Sequence, residues 1–351
     1  MDSKAELDFI KSQIIAGGKP WAQEYQNILS SNAATAGPNV LTTVLSTDNN
    51  QANIIRDNVF AAYTQALIWY FSGNSVYAER SIAILNAWTA LKGFVSGTNQ
   101  DKLLAGWTGA VFAPAAEIMR LYSGWRASDR SKLQAMFRKA YYPQLNTTSN
   151  GNGNNDLTQI DAMMAIAVFN EDTKEFIKGV ARLRNRIPAY FYVTSDGRLP
   201  VGIAGDFGNV TFFWFRPSAW VDGLMQETCR DNGHHAQFGL GSAIHAMETA
   251  WHQNVDVYTE NTHRMTAAME LLASFLNDGS MHGVCGGANT PTADRYDTWE
   301  VAYNHYHNRK GIPLPNTLKL IVNQIRPYGI RESYGWNLVY ETLTHANVSK
   351  I

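Results

Sequence analysis

Titratable side chains crowd into three short stretches, and their types suit proton transfer beside a carboxylate. In "QETCRDNGHHAQFGLG", residues 226–241, the adjacent His234 and His235 follow Glu227, Arg230 and Asp231 and lie next to Gln237, with Gly233 and Gly239 on either side. Imidazole titrates near neutrality and can take or give a proton. A helix beginning near Gly233 would add unsatisfied amides and a positive dipole end, both of which favour anions. In "DRYDTWEVAYNHYHNRKG", residues 294–311, Trp299, Tyr303 and Tyr306 or His307 share one helical face, and Tyr296, Glu300 and Tyr303 share another. His305 and His307 stand two apart and point to different sides, which argues against a two-histidine metal clamp. In "NGNNDLTQIDAMMAIAVF", residues 152–169, Asp156 is expected to cap a helix, while Asn152, Asn154 and Asn155 either build a turn or offer an amide to a substrate carboxylate. Each stretch also has a plainer reading, in which the histidines and rings pack between helices.

The elements that must hold these residues are helices. In "RDNVFAAYTQALIWYFSGN" the residues Val59, Ala62, Tyr63, Ala66 and Tyr70 fall on one face and Gly73-Asn74 is a stop signal; "SVYAERSIAILNAWTALKG" repeats the form. Further helices are expected at about 102–123, 129–140, 156–170, 172–193, 236–253, 261–277, 297–310 and 315–325. Two interruptions stand out: the Gly/Asn turn cluster at 146–156, and "SDGRLPVGIAGDFGNVTFFWFRPSAW" at 195–220, expected to be a long loop or small β-ribbon. No Pro- or Ser-rich linker divides the chain and no fixed repeat occurs. One all-α domain of helical hairpins spanning 1–351 is the economical expectation.

Composition narrows the partners. With 29 basic and 30 acidic side chains, no global field recruits nucleic acid or an anionic membrane. No run is long enough to span a bilayer, and the first residues carry no apolar signal core. The sequons at Asn146, Asn209 and Asn347 fit a secreted or periplasmic protein. Cys229 and Cys285 are too few for a four-ligand zinc site, though one disulfide is open to them. Neither a metal nor a cofactor is indicated. The ten Trp and sixteen Tyr are core or sugar-stacking rings.

Five segments join these pieces: "LDFIKSQIIAGGKPW", "LLAGWTGAVFAPAAEIMR", "NGNNDLTQIDAMMAI", "ETCRDNGHHAQFGLGSAIHAMETAWHQNVDVY" and "TWEVAYNHYHNR". Through them nearly the whole chain resembles the alginate lyase superfamily of polysaccharide lyases, most of all the branch acting on mannuronate- or glucuronate-type chains. The resemblance implies an (α/α) toroid, an incomplete barrel of helical hairpins. It implies β-elimination on a 1,4-linked polyuronate, with an anionic polysaccharide as partner, no cofactor and a monomeric enzyme. One departure is that the second Asn of "NGN" is commonly followed by Trp in such lyases, whereas Asn155 follows Asn154 here. The doubled histidine is another, and its place after Gly233 favours His234.

Such a lyase removes the weakly acidic C5 proton of a uronate and expels the 4-linked oxygen, so charge developing on the carboxyl group must be stabilised. The resemblance assigns that task to Asn154, His234 and Glu227, the last by sharing a proton, and assigns acid/base work to Tyr303, with His234 as base for the opposite C5 configuration. Tyr306, one helical turn on, is the alternative tyrosine. Arg216, Arg230, Arg295 and Arg309 are candidate carboxylate forks. His235, Gln237 and Asn155 are candidate polar contacts, and Trp107 and Trp214 candidate sugar platforms. A toroid-type glycoside hydrolase is the enzymatic rival, using a carboxyl pair from Asp156, Asp161, Glu227 and Asp231. A non-catalytic polyuronate-binding protein is the rival from another class.

Overall fold

The structure is a computed structural model that describes residues 3–148, 151–286, 290–328 and 340–348. Its helices in chain order are α1 (Lys4–Ile15), α2 (Trp21–Leu29), α3 (Asn49–Ser72), α4 (Ser75–Ala87), α5 (Asn99–Met119), α6 (Ala127–Met136), α7 (Tyr142–Leu145) and α8 (Gly153–Asn170). They continue with α9 (Thr173–Arg186), α10 (Val210–Phe213), α11 (His234–His252), α12 (Val257–Glu260), α13 (Thr262–Asp278), α14 (Trp299–Tyr303), α15 (Pro315–Leu320) and α16 (Glu341–His345). The fold is the expected (α/α) toroid, in which α3, α5, α8 and α11 pack side by side as an inner row. Helices α4 and α9 pack back on that row as outer partners.

Local sequence explains the alternation. Helix α3 starts at Asp48, whose carboxylate accepts from the amides of Asn50 and Gln51, and ends at left-handed Gly73; Asn74 then caps α4. Inner helices α5 and α8 are buried almost all round, whereas outer α9 buries only the stripe Glu175, Gly179, Val180, Leu183 and Arg186. Close approach of α5 to α8 depends on Gly106, because a Cβ there would lie 2.5 Å from Thr158 Cγ2 and 3.0 Å from its carbonyl carbon. Besides the four- and five-residue helices α7, α10, α12 and α16, the periodicity reading passed over α1, whose buried face is only Glu6, Leu7 and Ile10, and α2, which buries Trp21, Glu24, Tyr25 and Ile28. Both are too short to show a long apolar stripe.

Among the described residues there is no β-strand, only isolated bridges between Val44 and Phe94 and between Phe191 and Met225. The 195–220 insertion is therefore loop, not ribbon. Its polar residues fold the chain onto its own backbone: Asp206 accepts from the amides of Ile203 (3.0 Å) and Gly208 (2.8 Å), and Asn209 from that of Phe212 (3.1 Å). Phe215 and Arg216 both adopt left-handed backbone, φ 58° and 52°. Each such non-glycine residue costs on the order of 1–3 kcal/mol and persists only where its surroundings impose it.

The apolar interior forms two clusters that share α8. One runs from Leu7 to Phe169 and takes in Tyr340, Leu343, Ala346 and Val348; the other runs from Leu157 to Ile325.

Candidate active site

Helix α8 begins with amides that the helix itself cannot satisfy, and side chains from a distant segment meet them. The Gly153 amide donates to Gln226 Oε1 (2.7 Å) and the Asn154 amide to Glu227 Oε2 (3.0 Å). Asn154 Nδ2 reaches both Glu227 oxygens, at 2.7 and 2.8 Å. Glu227 is fully buried and also accepts from Tyr190 OH (3.1 Å) and Arg230 Nη1 (2.7 Å). A carboxylate at a helix N-terminus is favoured by the dipole, and here it also welds three segments together. Glu227 therefore lies beneath the site, and Asn154, 2% exposed, has its amide turned to Glu227. Asn152 and Asn155 stay partly exposed, and the Asn155 backbone carbonyl accepts from Gln159 Nε2 (3.1 Å). Gly239 leaves room for this weld, since a Cβ on it would lie 2.1 Å from Tyr190 OH.

Asp156 does not cap α8; it stands one turn inside the helix and pairs with Arg182 (2.6 Å) and Arg186 (3.0 Å). Burial pushes its carboxyl up, but the two guanidinium groups outweigh that and hold it below the ordinary value. Ser149 and Asn150 of the turn cluster lie outside the described residues.

Helix α11 starts at His234 behind left-handed Gly233, as the sequence predicts. Its end does not await an external anion, because Asp231 accepts from the His235 amide (3.0 Å) and also holds His235 Nδ1. Burial raises the Asp231 carboxyl, and the bonds from His235 more than reverse it. His234 Nδ1 lies 2.7 Å from Asp294 Oδ2, which also accepts from Thr292 Oγ1 (2.8 Å). A carboxylate only accepts, so Nδ1 of His234 carries the hydrogen and Nε2 is the basic nitrogen. Both imidazoles remain 29% exposed.

The tyrosine beside His234 is Tyr296. Its hydroxyl lies 3.5 Å from His234 Nδ1 and its ring 5.0 Å from that of Phe238, which in turn packs on both histidines. Tyr303 is elsewhere: it is 4% exposed in the second core and stacks on His307 at 4.7 Å. Burial raises its phenol, with Arg326 opposing. The helical-face argument placed Tyr296 and Tyr303 together, but α14 begins only at Trp299, so Tyr296 belongs to the preceding loop.

Other expected contacts are buried or bonded within the fold. Tyr306 is 1% exposed and donates to the Tyr258 carbonyl (3.1 Å). Arg309 binds Glu6 and Glu248, and Arg295 donates to Gln324 and to the carbonyls of Leu276, Thr292 and Asp294. Gln237 is buried between the Asp294 carbonyl and Trp299 Nε1. Trp214, 2% exposed, packs edge-on to Trp220, and Trp107 lies partly buried against the first core. Arg230 and Arg216 are the expected guanidinium groups that stay exposed.

A disulfide joins Cys229 to Cys285 and so ties the Glu227–His235 segment to the stretch leading toward Asp294 and Tyr296. Sequence reasoning missed Tyr190, Gln226 and Asp294. Asp294 and Tyr296 flank Arg295 just before a helix, a signal that gains meaning only once His234 is known to be opposite. One further group, Glu6, Glu248 and His252, has ligand atoms within 4.8 Å of one another, yet Arg309 already donates to both carboxylates and supplies the positive charge there.

Comparison with known proteins agrees with this picture. Residues 44–205 match the model of the family described as alginate lyase. Among solved structures, alginate lyase A1-III from Sphingomonas species A1 superposes with TM-score 0.66 at 15% identity, covering 89% of this chain and 88% of that one. The same lyase complexed with tetrasaccharide gives 0.65 at 15%, covering 88% and 87%. An alginate lyase from Bacteroides ovatus gives 0.58 at 11%, covering 97% of each chain. No curated protein matches by sequence. The family match covers a little under half of the chain, and the solved structures share its toroid fold.

Proposed function

We propose that this chain, with an alginate lyase superfamily fold as the premise, is a secreted or periplasmic single-domain polysaccharide lyase that cleaves a 1,4-linked polyuronate by β-elimination. The observation that carries the chemistry is the Asp294–His234 pair with Tyr296 beside it. His234 Nε2 accepts the C5 proton of the uronate, and Asp294 holds the imidazole in the correct tautomer and stabilises the cation that forms. The C5–H electrons become the C4–C5 double bond, the C4–O4 bond breaks, and the leaving oxygen takes the Tyr296 phenolic proton. The imidazolium then gives its Nε2 proton to solvent and the Tyr296 phenolate takes one back from solvent, which restores both groups. Arg230, anchored by Glu227 and 32% exposed, and His235, oriented by Asp231, stand ready for the substrate carboxylate.

The hydrolase reading is less well supported. It needs a carboxyl held protonated to act as acid, yet Asp156 and Asp231 are shifted down. Asp161 is shifted up by burial but is 2% exposed and paired with His245. Incubation with polymannuronate, polyguluronate and glucuronan, followed by ultraviolet absorbance, tests the proposal. Unsaturated product on one polymer supports it and names the substrate. Reducing ends without absorbance would turn the reading to hydrolysis.

A further inference from the structure

The insertion at 195–220 carries the most exposed aromatic side chains of the described residues, and their arrangement is imposed. Phe207 is 84% exposed and Phe212 61% exposed. The Arg216 guanidinium lies over the Phe212 ring, 5.0 Å from its centroid. The turn that brings them together is closed by amide bonds from Phe215 to the Phe212 carbonyl (3.0 Å) and from Arg216 to the Thr211 carbonyl (2.9 Å). It requires left-handed backbone at both Phe215 and Arg216, a conformation held against its cost.

What holds the turn is the reaction site itself. Gln226 Nε2 donates to the Phe213 carbonyl (3.0 Å) while Gln226 Oε1 accepts from Gly153 at the start of α8. The Phe215 ring lies 5.9 Å from the Arg230 guanidinium, and Arg230 binds Glu227. Trp214 is buried beneath, and the Ser218 amide donates to the Val284 carbonyl (2.7 Å) next to the disulfide. One face of the turn is thus fastened to the site, and the other presents a flat ring with a planar cation on it.

We propose that Phe212 and Arg216 form a sugar subsite beyond the reaction centre, where the ring stacks on one uronate unit and the guanidinium takes its carboxylate. The proposal rests on the polyuronate reading and adds to it a dependence on chain length. Charge selects the occupant: Arg216 and Arg198 are exposed on this loop, and the loop's Asp206 is bonded to its own backbone amides. An acidic glycan chain supplies both a ring face and a carboxylate, whereas an apolar partner would leave the two guanidinium groups unmatched.

The experiment compares wild type with Phe212→Leu, Phe212→Ala, Arg216→Gln and Arg216→Lys on polymannuronate and on oligomannuronates of decreasing length, reading unsaturated product. The expected result is a KM increase of about tenfold on the polymer for the Phe212→Ala and Arg216→Gln variants, equivalent to about 1.4 kcal/mol. That increase shrinks below about threefold on the shortest chain cleaved, and Arg216→Lys restores only part of it. Equal KM in wild type and variants on the polymer, or one loss at all lengths, overturns the subsite. If wild type gives no unsaturated product from any uronate polymer, the lyase reading fails separately. Direct titration of polymannuronate into each protein still decides the subsite, which predicts weaker binding by the variants and is overturned by equal affinities. Unchanged thermal unfolding of Phe212→Leu keeps the comparison free of folding defects.

Discussion

In the proposed reaction Tyr296 has a chemical role, while Tyr303, seven residues on, has a packing one. Tyr296→Phe keeps the ring against Phe238 and removes the hydroxyl beside His234, so kcat should fall by about 10²–10⁴-fold, the usual contribution of a positioned acid. Tyr303→Phe removes a hydroxyl from the second core and should leave kcat within about threefold, a comparison that steady-state absorbance settles. Loss of turnover in Tyr303→Phe with Tyr296→Phe active would reverse the assignment. Asp294→Asn should lower kcat by about 10–10²-fold and displace the acid limb of the pH–rate profile, because an amide at that position no longer fixes the His234 hydrogen on Nδ1. A lost kcat with an unmoved profile would reduce Asp294 to a loop anchor. At this scale the density of titratable groups drew out His234, His235, Glu227 and Arg230, whereas the resemblance pointed to Tyr303, which the fold buries in the second core. Helical spacing grouped Tyr296 with Tyr303 because it was extended back from Trp299 to residues that precede the helix.

Between helices, the site depends on segments with no regular structure, and that is where reading from periodicity stops. The inner helices were legible because α3, α5, α8 and α11 bury long apolar stretches between clear stop signals such as Gly73-Asn74. The Asp156 cap was misread because a distant Gln226–Glu227 pair serves the start of α8, and no local pattern encodes a partner 73 residues away. The Cys229–Cys285 bond takes the place of regular structure across this region. Closing a loop over a sequence separation of 56, it is worth about 4 kcal/mol in the chain-entropy account. Reduction, or Cys229→Ser with Cys285→Ser, should lower the unfolding temperature by several degrees. Turnover should fall further than stability explains, since the bond ties the Glu227 segment to the stretch leading toward Tyr296. Calorimetry and kinetics on oxidised and reduced protein check this, and equal kcat in the two states would make the bond purely a stabiliser.

Across the molecule, charge inside the toroid makes stability depend on pH in a stated direction. His245 sits buried between Asp161 and Glu341; burial lowers its pKa, but the carboxylates prevail and raise it to about 9. His252, between Glu6 and Glu248, is likewise raised to about 9, and burial holds the Asp297 carboxyl well above its ordinary value. A folded pKa above the unfolded one gives stability that is complete below about 6.5 for the histidines and is lost as pH rises through about 9. The unfolding temperature should therefore decline between those values, and His245→Gln should flatten part of the slope, on the order of 3 kcal/mol at its full extent. A flat profile from neutral to alkaline pH would show that these groups are neutral in the folded protein. On the acid side Glu6, lowered to about 2 despite burial by its bond to His252, contributes stability present above about 4.5 and lost as pH falls through about 2. Finally, Tyr340, Leu343, Ala346 and Val348 complete the cluster that begins at Leu7, and the Tyr340 hydroxyl lies 2.7 Å from Thr64 Oγ1. During synthesis the half made first thus waits for residues made long after it. Until they emerge from the ribosome its apolar seam stays open, so the nascent chain should lean on chaperones longer than a protein whose halves close in the order they are made.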